Sequence, residues 1–187
     1  MLKKKLFVAL LAMFGFVGIG ANISCAEENL SNHPSFVVVP DSLDGNPAPS
    51  RSRSTLTISG YSHIQDLGFV NLSKVDSQTF RLGTTGRSLR LEAFALFAYS
   101  GNILYESHVQ DIGWQGGKKN ADLSGTIGQS LRIEAVAMAF QHPTIWMRYR
   151  AHLQDIGWTE WKRDGLIVGT TGQSRRLEAI EFQFYYK

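Results

Sequence analysis

Near the C-terminus, in RRLEAIEFQF (175–184), polar and apolar positions alternate. On an extended chain Leu177 and Ala179 share one side, and Arg176, Glu178, Ile180, Phe182 and Phe184 share the other. LEAFALFA (91–98) contains good helix formers, so a helix competes there. Gly68, Gly83, Gly86 and their counterparts, however, cut the chain into pieces of about ten residues, and no capping box opens any of them. Short extended segments between glycine turns predict an all-β domain.

The pattern is written three times. HIQDLGF (63–69), HVQDIGW (108–114) and HLQDIGW (152–158) are each followed by GTTGRSLRLEA (83–93), GTIGQSLRIEA (125–135) and GTTGQSRRLEA (169–179). The histidines are 45 and 44 residues apart. Units of about 55–98, 99–142 and 143–187 result, beginning near Tyr61, Tyr105 and Tyr149. Each predicts four strands: the segment leading into QDIG, the stretch after the aromatic residue, a short strand entering GTTG, and the RxEA segment. Three such copies predict a pseudo-threefold domain. A β-trefoil has that size and repeat count, and closure would leave no exposed sheet edge.

The first 26 residues read differently. MLKKK precedes the apolar run LFVALLAMFGFVGIG (6–20), and Ser24-Cys25-Ala26 supplies a small-residue cleavage site, the pattern of a secretory signal peptide. A lipoprotein carrying Cys25 at its mature N-terminus is the less favoured alternative. Residues 27–54 read as a flexible linker, within which Phe36–Val39 has the composition of one short strand. The whole chain has 19 basic and 16 acidic residues; removal of Lys3, Lys4 and Lys5 with the signal leaves 16 of each. Nucleic-acid binding is not expected from a balanced chain, and no membrane span is expected after cleavage. Cys25 is the only cysteine, so the exported domain must rest on its core.

The pattern HxQxxGW, a loop and GTTGQSxRxEA is similar to the clostridial hydrophobic W repeat, and the resemblance covers residues 61–187. It implies a secreted or cell-surface module of a Gram-positive bacterium, described as carbohydrate-binding or adhesive, with no assigned reaction. The first unit departs from the pattern: Phe69 stands where the tryptophan belongs, and its loop to Gly83 is longer, 14 positions against 11.

Candidate chemistry is weighed unit by unit. His63, His108 and His152 would suit zinc if they met on an axis, but a bond within each unit is the simpler expectation. Arg90/Glu92, Arg132/Glu134 and Arg176/Glu178 predict an ion pair in each unit, which disfavours a raised-pKa general acid. The Thr and Ser hydroxyls around GTTG are expected to satisfy turn amides. Gln110, Asp111, Gln154 and Asp155 either brace their turn or present directional groups to sugar hydroxyls. Trp114 and Trp158 either plug the core or stack on sugar faces. Trp161, amid charged neighbours and with Gly117 in its place in unit two, is expected to be exposed, and Trp146 stays open. The resulting expectation is a non-catalytic module without cofactor or metal. It would bind cell-wall or extracellular polysaccharide through Trp114, Trp158, Trp161 and those Gln and Asp residues; the alternative is a protein partner gripped by the same loops.

Overall fold

The computed structural model describes residues 35–38 and 56–187; the expected signal segment 1–26 and most of the expected linker lie outside the described residues. No helix occurs among them. β1 (Ser35–Val38) comes first, a strand where the FVVV run allowed one. Unit one holds β2 (Leu56–Ile64), β3 (Gly68–Asn71), β4 (Ser73–Lys74), β5 (Phe80–Gly83) and β6 (Leu91–Ala98). Unit two holds β7 (Asn102–Val109), β8 (Gly113–Trp114), β9 (Lys118–Lys119), β10 (Ser124–Gly125) and β11 (Ile133–Gln141). Unit three holds β12 (Ile145–Leu153), β13 (Gly157–Trp158), β14 (Lys162–Arg163), β15 (Val168–Gly169) and β16 (Leu177–Tyr186).

Each unit pairs its own first and last long strands antiparallel: β2 with β6, β7 with β11, β12 with β16. The strand entering the glycine phrase goes elsewhere. β10 of unit two pairs with β6 of unit one, β15 of unit three with β11 of unit two, and β5 of unit one with β16 of unit three. The exchange therefore runs in a ring, and each sheet is completed by the following unit. Three open antiparallel sheets result. None closes on itself through these ladders: the chain is all-β as expected, and its strand pairing does not by itself define the six-stranded barrel of a β-trefoil. The inner faces of all three sheets meet in one core that includes Ile58, Phe94, Tyr105, Met138, Tyr149 and Phe182.

The repeated phrase owes its form to this exchange. The register slips once in every long pair, between Leu91 and Ala93, Ile133 and Ala135, and Leu177 and Ala179. The extra residue is the Glu of RxEA, held in a β-bulge. The bulge resets the alternation, so Leu177 and Ile180 both reach the core, which strict period-two reading missed. Onto this bulge docks the first glycine of the next unit in the ring. A Cβ at Gly125 would lie 2.2 Å from the Glu92 carbonyl oxygen, at Gly169 2.4 Å from that of Glu134, and at Gly83 2.2 Å from that of Glu178. The following threonine N–H then donates to that same oxygen, from Thr126, Thr170 and Thr84 at 2.8, 3.0 and 3.0 Å. The threonine hydroxyls do not brace the turn as expected: Thr84, Thr126 and Thr170 bury Oγ1 without a hydrogen-bond partner.

Unit one deviates. Tyr105 and Tyr149 lie opposite Met138 and Phe182, but Leu96 faces Gly60, so Tyr61 is one position out of phase with them. The Tyr105 hydroxyl donates to the Asp122 carbonyl (2.6 Å) and accepts the Leu96 N–H, bridging units one and two; Tyr149 accepts the Met138 N–H in the same way. Where unit one meets unit three, Phe80 stacks on Phe182 at 5.5 Å instead.

Candidate ligand-binding face

In every unit the QD(L/I)G phrase is the turn of a hairpin. Asp66, Asp111 and Asp155 have φ near 60° (62, 61 and 62°) and are followed two residues later by a glycine that also has positive φ, a conformation that Asp tolerates and Gly prefers. Each turn is pinned to its own sheet by the N–H of Gln65, Gln110 or Gln154, which donates to the carbonyl of Arg90, Arg132 or Arg176 at 3.0 Å. That hairpin places the aromatic residue on the short second strand, directly across from the histidine: Phe69 faces His63, Trp114 faces His108, Trp158 faces His152. The rings meet edge to face at 5.1, 5.5 and 5.1 Å.

Beneath lies a polar support. His63 Nδ1 meets Glu92 at 2.9 Å and His152 Nδ1 meets Glu178 at 3.0 Å. His108 Nδ1 stands 3.3 Å from Glu134, close but poorly aligned for a hydrogen bond. The other oxygen of each buried glutamate takes an arginine, Arg90, Arg132 or Arg176, at 2.7, 2.7 and 2.8 Å. The bulge turns the Glu towards both partners, so ring, histidine, carboxylate and guanidinium form one connected stack per unit. His63 and His152 thus bond within their own units, and His108 stands against the glutamate of its own unit without a hydrogen bond at Nδ1.

The tryptophans of the hairpins lie outside the core. Trp114 is 38% exposed and Phe69 47%; Trp158 is half-buried. They lie on the second strand of the hairpin, and none of the three belongs to the core cluster, so the core-plug alternative does not hold. Gln110, Asp111 and Trp114 share one hairpin, as do Gln154, Asp155 and Trp158. Asp111 and Asp155 are exposed. Gln110 accepts from Arg132 at 2.7 Å and donates to Asp111 at 3.0 Å, so it braces the turn in part; Arg175 lies 3.7 Å from Asp155. Exposed Leu67, Ile112 and Ile156 stand beside the rings in the turns.

Trp161 is half-buried rather than free. Its ring lies 4.8 Å from the Arg148 guanidinium and 4.5 Å from that of Arg150. The stack extends on both sides: Arg150 also covers Trp158 at 4.6 Å, and Arg148 covers Tyr185 at 4.8 Å. Tyr185 in turn stacks on Trp146, which carries Arg163 at 4.0 Å. These arginines went unremarked in the sequence; the signal was WMRYRAH (146–152), where Trp and Arg take alternate positions on one face.

Three strand-exchanged units, each presenting a histidine-braced aromatic ring on its outer surface, define a repeat-built β module. Residues 108–141 and 152–184 match the family model of the clostridial hydrophobic W. The two matches fall within the second and third units, and unit one, outside the matched residues, shares their strand order and ring-on-histidine geometry. Such repeats are found in surface or secreted proteins of clostridia. No curated protein and no solved structure matches the chain significantly.

Proposed function

We propose that the protein is a secreted or surface-associated, non-catalytic binding module for cell-wall or extracellular polysaccharide. The observation that carries this reading is the outward ring of units one and two, Phe69 and Trp114, each exposed and fixed by a histidine at its edge; in unit three Arg81 and Arg150 lie over the matching Trp158. Indole and phenyl faces stack on the C–H faces of sugars and make strong anchors at low entropic cost. Trp114, Trp158 and Trp161 are the assigned platforms, and Gln110, Asp111, Gln154 and Asp155 the hydrogen-bonding groups beside them. Aromatic rings repeated around one domain suit a repeating polymer, because weak sites gain avidity when bound together. A non-catalytic role is supported by the engagement of each buried RxEA glutamate with an arginine and a histidine. The test is retention of the full chain on a panel of insoluble polysaccharides and purified peptidoglycan. Trp114→Ala should keep the fold and reduce retention; unchanged retention, or none by the wild type, removes the reading.

A protein partner is the second reading, favoured by one feature. Leu67, Ile112 and Ile156 expose aliphatic surface next to the rings, and aliphatic side chains fit a protein better than a sugar. Cross-linking to a surface protein that soluble glycans fail to displace would support it.

A further inference from the structure

The three outer faces are not alike, and the difference is charge. Opposite the β16 residues Tyr185, Gln183 and Glu181 stand Trp146, Arg148 and Arg150 of β12. In unit two the places of Trp146, Arg148, Arg150 and Glu181 are taken by Asn102, Leu104, Glu106 and Ala137. Unit two forms the same sheet without them, so the fold does not require an arginine row. The row is also unfavourable on its own terms. Arg148 on β12 lies directly across from Arg163 on β14, and like charges placed opposite each other in a ladder repel.

The acidic groups nearby offset this only in part: Asp164 lowers the charge beside Arg163 without forming an ion pair with it. Glu181, almost fully buried, is shared by Arg81 at 2.6 Å and Arg150 at 2.7 Å. Asp164 accepts the Phe140 N–H. Among the described residues no carboxylate comes within ion-pair distance of Arg148 or Arg163. Arg148 uses Nε on Gln183 at 2.7 Å, and its flat guanidinium is held between Trp161 and Tyr185. Two oriented cations remain, each laid on an aromatic ring and each with donors to spare.

We propose that this face of unit three binds the acidic groups of a polysaccharide, with a carboxylate or phosphodiester received between Arg148 and Arg163 and the sugar beside it against the neighbouring indoles. Guanidinium forks match either oxyanion. The proposal rests on the polysaccharide reading above and gives unit three a ligand class that units one and two do not share.

The experiment measures binding of the full chain to polygalacturonate (carboxylate), yeast phosphomannan (phosphodiester), neutral mannan, xylan and peptidoglycan across a salt series. Wild type should hold one or both acidic polymers at least tenfold more tightly than neutral mannan, and lose that advantage as salt rises. Arg148→Gln with Arg163→Gln should abolish the acidic preference while the variant still melts cooperatively and still binds the neutral polymers that wild type binds. Arg148→Lys with Arg163→Lys should keep most of the salt-sensitive part, which separates lost charge from lost fold. Retention on polygalacturonate alone or phosphomannan alone identifies the preferred oxyanion. Equal binding of neutral and acidic polymers, unaffected by the Gln pair, overturns this proposal and leaves the polysaccharide reading standing. Binding to none of the polymers overturns both.

Discussion

Changing Gly125 to alanine should separate the two glycines of one phrase. An alanine Cβ there would sit 2.2 Å from the Glu92 carbonyl oxygen and 2.5 Å from the Ala93 Cα, both backbone atoms of unit one. Neither can step aside, so β10 must withdraw from β6. Withdrawal gives up the Thr126 N–H bond to Glu92 and the short ladder at Ser124 and Gly125, at about 0.5–1.5 kcal/mol per bond. The φ of +104° adds about 1–2 kcal/mol for any residue with a Cβ. The loss should therefore be about 3–5 kcal/mol. Gly128, three residues on, has φ +73° and nothing within 4 Å of its would-be Cβ, so Gly128→Ala should cost only about 1–2 kcal/mol. Urea unfolding of each full chain, followed by far-UV circular dichroism, reads both losses. Equal losses, or a larger one at Gly128, would refute the strand-exchange lock as the reason for the repeated phrase.

Glu134→Ala should destabilise by about 2–4 kcal/mol, because it strands Arg132 and His108 over a buried site, while Glu134→Gln should cost less; thermal melting ranks the pair. Burial raises the Asp164 carboxyl above the ordinary carboxylate range, and its Oδ1 accepts the Phe140 N–H. Asp164→Asn keeps the Phe140 acceptor and removes the charge, but gives up the acceptor that the carboxylate offers to the Met147 N–H, so its stability relative to wild type should be greatest at neutral pH. Since the folded pKa is the higher one, the wild type regains stability as pH falls through it, and the relative stability of the Asn variant should fall towards about pH 4; a melting series from pH 7 to 4 follows this. Phe69→Trp should fold like wild type, since the position is open, and should raise retention on whichever polysaccharide the wild type holds.

The strand content was readable because Gly83, Gly86 and their counterparts limit each segment and because the units repeat. Ring-wise exchange was not readable: which sheet receives β5, β10 or β15 is a long-range choice, invisible in residues 80–83 alone. The bulge was hidden for a related reason. A single extra residue at Glu178 reverses the phase of everything after it, so a faithful alternation assigned Leu177 and Ile180 to opposite faces when both are core. At the site, Trp114 could be placed on either side by sequence alone, since Gly-Trp suits a plug and a platform equally. Arg148 and Arg150 passed unnoticed because arginine in a strand is ordinary until its partners are known, and those partners, Glu181 and Tyr185, lie more than thirty residues away.

The claim that the outward rings are the binding platforms is tested most directly by the four indole N–H resonances of the ¹⁵N-labelled full chain, titrated with soluble fragments of a polysaccharide that retains it. With a neutral fragment, the Trp114, Trp158 and Trp161 signals should move at a common saturation, while Trp146, whose N–H is engaged by the Tyr186 carbonyl at 3.0 Å, stays in place. Saturable binding that leaves Trp114, Trp158 and Trp161 unmoved would contradict the account.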